Sequence, residues 1–297
     1  MLHQHGCLLL ALASLCNVKA QQSSTTPHVL MYSATQEGLF RHDSIPTAIQ
    51  RLKVNQDSIK VVFENTEDGS TFTASNLAKY DAVVFLSTVG EVLDNPGKNA
   101  LQTYFNSGGN FVGIHSTSDC LRNTTSFVRQ LGARFDYHAD LQEATVNVIG
   151  PTHPSTSGVP SAWTLRDEMY NFESNPRDLG AIVVLSADES SYTDDRERRF
   201  DQGSPHPIAW YQERAAGVDA SGTAGRSFYT SLGHLNETWQ DPVFLSHILG
   251  GISWVLQSNT TRAFNSSGLV GNSDASTSTG AGAPTTATSG LPSPTGS

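Results

Sequence analysis

The chain is 297 residues long, with 37% hydrophobic and 15% charged residues and a formal net charge of -10. Its 25 Gly and 13 Pro are scattered rather than periodic, which fits a globular chain and excludes collagen-like and highly charged disordered classes. The acidic balance leaves no basic surface to neutralise phosphates at scale, so no nucleic acid is expected as a partner.

The first segment is a short apolar run, Leu8-Leu9-Leu10-Ala11-Leu12-Ala13, followed by Val18-Lys19-Ala20 at a plausible cleavage position. It reads as a secretory signal peptide over residues 1–20, and the run is far shorter than the ~20 apolar residues a membrane span needs. The expected product is secreted and extracellular, without a membrane span. Loss of the leader removes Cys7 and Cys16, so Cys120 stands alone and no intramolecular disulfide is expected. Export also gives meaning to four Asn-x-Ser/Thr sequons, at Asn123, Asn236, Asn259 and Asn265, as N-glycosylation sites.

In the following segment, short apolar runs alternate with amphipathic stretches, the pattern of a mostly parallel sheet covered by helices on both faces. Strands are expected at Val29–Tyr32, Ile59–Phe63, Asp81–Leu86 and Phe111–His115, and later at Glu143–Ile149, Ala181–Leu185, Pro207–Tyr211 and Arg226–Ser231. Helices are expected after Ser44 as N-cap with Pro46 in the first turn, from Pro96 to Phe105 ahead of Gly108-Gly109, and from Pro242 to Leu256. The sequence contains no internal repeat. Residues 263–297, and most clearly those from Ser266 onward, are Ser, Thr, Gly, Ala and Pro with almost no large apolar side chain, which predicts a disordered tail after a single domain over 21–262.

In an open parallel sheet, ligands bind at the carboxyl ends of the strands. Four distant segments carry polar residues there: Ser33 to His42, Ser87-Thr88, His115 to Asp119, and His234. Gly109 to Ser116 has the outline of a strand turning sharply into a helix, an elbow that presents one side chain at the top of a sheet. The presented side chain is His115.

With Gly38-Leu39-Phe40-Arg41-His42, Gly109 to His115 with Asp119, His153-Pro154, Asp167-Glu168-Met169-Tyr170 and Gly225 to His234 in this order, the sequence resembles the ThuA-like family. That family lies within the class I glutamine amidotransferase-like superfamily, and the resemblance spans about Pro27 to Gln257. It implies a flavodoxin-like three-layer sandwich and a context of trehalose and keto-sugar metabolism, with a small carbohydrate or keto-sugar as ligand. Amidotransferases of the superfamily carry a nucleophilic Cys at the elbow. Here that position is His115, Cys120 lies five residues on, and Glu237 is spaced by three rather than two from His234, so glutaminase activity is not expected.

Without a thiol, His115, His234, Glu168 and Asp119 are the candidate catalytic residues, with His42, Thr88, Ser116 and Tyr170 as candidate ligand-binding residues. Two chemistries stay open at this point. Imidazoles and a carboxylate converging from separate loops suit a divalent metal held by His115, His234 and Glu168. The same groups suit metal-free acid/base work. Ser116 as a nucleophile served by His234 ranks below both, and a non-catalytic carbohydrate-binding role is the alternative from another class. Against these stand bland readings: a His at a strand end commonly serves structure, His153-Pro154 fixes a loop, Asp167 and Glu168 are solvated, and Asp194 to Arg199 is a solvated charge run. Phe40, Tyr170, Phe172, Tyr229 and Trp239 are aromatics that either stack on a sugar or pack in the core.

Overall fold

The computed structural model describes residues 25–271. The expected leader and the tail beyond Gly271 lie outside the described residues.

Val29-Leu30-Met31-Tyr32 alternates its side chains between two faces, and both faces are apolar, so the strand is buried on both sides. The same holds along the centre of the molecule. The strands are β1 (His28–Tyr32), β2 (Val62–Thr66), β3 (Ala82–Leu86), β4 (Asn110–Ile114), β5 (Phe135–His138), β6 (Gln142–Val148), β7 (Ala162–Asp167), β8 (Tyr170–Phe172), β9 (Ile182–Ala187), β10 (Pro207–Gln212) and β11 (Ser227–Thr230). Nine of them form one sheet in the order β2-β1-β3-β4-β11-β10-β9-β6-β7, while β5 and β8 pair as a separate ribbon. The block β2-β1-β3-β4-β11 is parallel. From β11 outward every pairing is antiparallel, so that β10 and β6 run against the other seven strands.

Helices cover both faces. Val29, Met31, Val84, Val112 and Phe228 point to one side, where they pack with Ala48 and Leu52 of α1 (Ile45–Val54), with Trp239 of α5 (Asn236–Gln240) and with Phe244, Ile248 and Ile252 of α6 (Pro242–Leu256). Leu30, Tyr32, Val83, Phe85, Phe111 and Tyr229 point to the other. There they meet Leu77 of α2 (Ala74–Leu77), Leu101 and Phe105 of α3 (Asn95–Asn106), Phe127 and Leu131 of α4 (Thr125–Leu131) and the β5–β8 ribbon. This is the expected α/β, flavodoxin-like three-layer sandwich, with the strand order 2-1-3-4 of a doubly wound sheet. No helix among the described residues is long and apolar enough to cross a membrane.

Local chemistry explains the boundaries. Asp94 caps α3 by accepting the Gly97 N–H at 2.8 Å, and Asp241 caps α6 by accepting that of Val243 at 2.8 Å. Ser44 stands at the N-cap of α1 as expected, yet its hydroxyl donates to the Gly233 carbonyl instead of capping, tying α1 to the loop after β11. The second strand begins three residues later than the apolar run predicts, because Ile59 and Lys60 form a turn in which Lys60 has φ +54°. β7 went unrecognised because it is an edge strand with alternating exposure, and β5 and β8 because they are short.

The tail begins later than composition suggests. Ala263 and Val270 are buried, Arg262 and Val270 pair through their backbones at 2.9 Å, and Gly271 N–H reaches the Ala78 carbonyl, so residues 263–271 are folded onto the domain.

Candidate functional site

The parallel block and β7 end at the same rim, and the four side chains of interest follow those ends. His42 lies in the loop between β1 and α1, His115 directly after β4, Glu168 directly after β7, and His234 in the loop after β11. Strand order places β7 four positions from β11, but the Asp167 carboxylate accepts the Gly233 N–H at 2.8 Å. The antiparallel arm therefore curves back onto the rim, with register shifts between Pro207, Ala209 and Trp210 along the β9–β10 pairing.

His115 occupies the elbow with φ +56°, a left-handed conformation that costs an L-residue about 1 kcal/mol. Two residues earlier Gly113 leaves room for Leu131, which a Cβ at that position would strike. The His115 ring is fully buried, and its Nδ1 lies 2.7 Å from the Ser231 carbonyl oxygen. A carbonyl only accepts, so Nδ1 carries the proton and Nε2 presents a lone pair. That lone pair faces His42 Nε2 at 3.0 Å, Tyr170 Oη at 3.2 Å, His234 Nδ1 at 3.3 Å and Glu168 Oε2 at 3.8 Å. Glu168 Oε2 is also 3.2 Å from His234 Nδ1, and its Oε1 is 3.6 Å from His138 Nε2. Ligand atoms of His42, His115, Glu168 and His234 all lie within 4.8 Å of one another.

Electrostatics divides the cluster in two. Burial, reinforced by the neighbouring imidazoles, pushes His42 down to about 4 and His115 well below the usual imidazole range, so both rings are neutral near pH 7. Burial opposes charge on His234 and Glu168 as well. There it is outweighed by their mutual hydrogen bond and attraction, which raise the imidazole and lower the carboxyl. Asp167 is pushed up to about 6 by burial, held back by the N–H groups of Gly233 and Glu168.

His42, Glu168 and His234 form the floor of a cavity of about 340 Å³, walled by Phe40, Val89, Ser116, Asp119, Phe135, His138 and Tyr170, and the fully buried His115 ring lies behind that floor. Phe40 is 64% exposed at its mouth and lies parallel to the His234 ring at 6.3 Å. Of the residues singled out from sequence, His42, His115, Glu168, His234, Ser116 and Tyr170 come together here. Asp119 reaches the cavity wall but bonds Arg122 at 2.6 Å rather than any histidine of the cluster. Thr88 does not line the cavity: it is buried, and its hydroxyl donates to Thr117. Phe172, Tyr229 and Trp239 are core residues. Asp167 and Glu168 are buried rather than solvated. His153 fixes a loop, its Nδ1 accepting the Ser155 N–H. The Asp194 to Arg199 run is a loop tied down at Tyr137 and Asn171.

Sequence reading missed His138 and Phe135. A bulge between Phe135 and Tyr137 lets residues three apart in β5 share the cavity side, which defeats the alternation by which strand faces are read.

The family model of ThuA, described as trehalose utilisation, matches residues 28–255. The chain belongs to the ThuA family. Among solved structures it is similar to a ThuA-like protein from Bacteroides uniformis, at 20% identity and a TM-score of 0.64 over 82% of this chain and 96% of that one. It is also similar to a ThuA-like protein from Parabacteroides merdae, at 17% identity and a TM-score of 0.58 over 78% of this chain and 90% of that one. No curated protein matches the chain. In this member of the ThuA family the elbow carries an imidazole. Cys120 is buried away from the cavity lining, with its thiol pushed up to about 12 by burial. A neutral, enclosed thiol is a poor nucleophile.

Proposed function

We propose that the His42–His115–Glu168–His234 cluster is a divalent-metal centre at the floor of a carbohydrate cavity, and that the protein acts on a small carbohydrate or keto-sugar by metal-assisted acid/base chemistry. The observation that carries this reading is the crowding around His115 Nε2. An oxygen of Glu168 and nitrogens of His42 and His234 lie 3.0 to 3.8 Å from it, and one ligand atom from each of the four residues lies within 4.8 Å of the others, a spacing at which they can share one cation. The donor set fits such an ion: His115 is held in the required tautomer by the Ser231 carbonyl, His42 is neutral, and the proton that His234 shares with Glu168 is the one a cation would replace.

A bound divalent cation supplies Lewis acidity toward a hydroxyl, carbonyl or water oxygen. The residues around it supply the rest. Tyr170, kept protonated because burial raises its hydroxyl well above the usual range, offers a donor beside His115. His138, on the wall next to the second oxygen of Glu168, is placed to exchange a proton with a ligand in the cavity. Phe40 and Phe135 present apolar faces of the kind that stack on a sugar ring, and Asp119 presents a carboxylate for hydroxyl groups. The trehalose-utilisation description of the family supports a carbohydrate as ligand. The leader-like sequence of residues 1–20 supports action outside the cell.

Saturation-transfer NMR with mono- and disaccharides and their keto derivatives, on wild type and His115→Ala, tests this reading. Binding accompanied by turnover that the variant loses supports it. Binding without turnover in either protein makes the chain a carbohydrate-binding protein, and absence of binding across the panel contradicts the carbohydrate assignment.

A further inference from the structure

Asp167 closes β7 with a side chain that is fully buried and accepts three backbone N–H groups. Its Oδ1 takes those of Glu168 at 2.8 Å and His234 at 3.4 Å, and its Oδ2 takes that of Gly233 at 2.8 Å. Two of the three donors belong to residues of the metal cluster, and these come from strands four positions apart in the sheet. The Gly233 peptide is gripped from its other side too, since its carbonyl accepts the Trp239 Nε1–H at 3.0 Å and the Ser44 hydroxyl at 3.3 Å. Gly233 itself has φ +129°, a conformation open to glycine, so the turn that carries His234 is set by these bonds rather than by a side chain of its own.

We infer that Asp167 is a positioning residue: by clasping the backbones of Glu168, Gly233 and His234 it sets the separation of two donors and pre-forms the cluster. The inference rests on the metal reading of the site. Only a carboxylate suits this place, because it has two oxygens that accept and no hydrogen that donates. An amide there turns an N–H₂ toward at least one backbone N–H and forces the β7 end and the His234 turn apart.

The test is Co(II) titration of the full chain, followed by visible absorption, for wild type and Asp167→Asn, with thermal melts and histidine-ring 15N spectra of the metal-free proteins. The expected result is Co(II) affinity about 10- to 100-fold weaker in the variant. The ring signals of His234 and His115 are expected to shift while those of His153 and His247, distant in the core, stay in place. Where Asp167→Asn does not fold, Asp167→Ser keeps one acceptor without an amide donor, and the same loss is expected. A purely structural Asp167 lowers the melting temperature and leaves Co(II) affinity within twofold and the ring spectrum unchanged, which overturns the inference. If wild type takes up no Co(II), the metal reading fails by itself, and the clasp is then decided by the ring spectrum, unchanged signals overturning it.

Discussion

His115 Nδ1 and the carbonyl oxygen of Ser231 stand 2.7 Å apart, one at the elbow after β4 and the other directly after β11. This bond between two adjacent parallel strands fixes which nitrogen of a buried ring faces His42, Glu168 and His234. Long-range 1H–15N spectra of the metal-free protein are therefore expected to show His115 protonated on Nδ1, with Nε2 bare. A ring protonated on Nε2 would contradict the donor assignment on which the site is built.

The strained backbone at His115 separates site from stability. Asn tolerates positive φ better than most residues, so His115→Asn removes a donor without a backbone penalty. Its melting temperature is expected within about 4 °C of wild type, a change of roughly 1 kcal/mol for a domain of this size, while bound metal is lost. A large drop in melting temperature would show that the ring serves the core.

A second pair of buried histidines contributes to the pH dependence of stability. His153 stacks on Tyr211 at 4.3 Å, and His247 is buried against Phe228 at 5.4 Å. Burial holds both down to about 4, with His247 adding to the effect on His153. The unfolded chain protonates them near 6.5. Between those values the unfolded state binds more protons, so stability present above about 6.5 is lost as pH falls toward 4, by at most about 1.4 kcal/mol per pH unit for each ring. His42 and His115 act with the same sign. Thermal melts across this window are expected to show a shallower loss for His247→Gln, and an unchanged slope would refute the assignment.

The sequons divide by environment. Asn123 and Asn259 are exposed, whereas Asn236 accepts from the Thr47 hydroxyl, and Asn265 donates to the Asn259 carbonyl at 2.7 Å. Expression in an N-glycosylating secretory host, followed by peptide mass spectrometry, is expected to find glycans at Asn123 and Asn259 and bare side chains at Asn236 and Asn265. Full occupancy at Asn236 would mean that the turn after β11 forms differently from the one described.

The fold was legible where burial is two-sided. Runs such as Ala82-Val83-Val84-Phe85-Leu86 have to be central strands, and Gly113 ahead of His115 announces the elbow. The antiparallel arm was less so, since β7 buries little beyond Trp163 and Asp167, and β8 spans only Tyr170–Phe172. His42, His115 and His234 were found because each follows a recognisable strand. Glu168 was found through its motif. Asp167 passed for a solvated acid because its three partners are backbone N–H groups, which leave no trace in sequence, and two of them lie 66 and 67 residues away. His138 was hidden by a bulge.

The metal centre is the central claim, and metal analysis tests it most directly. The full chain, purified without chelating resin and equilibrated with Zn(II) or Co(II), is compared with His115→Ala/His234→Ala by elemental analysis after gel filtration. One equivalent of divalent metal in wild type, absent from the variant, is the predicted result. Wild type that retains no metal, or a variant that retains as much, would contradict it.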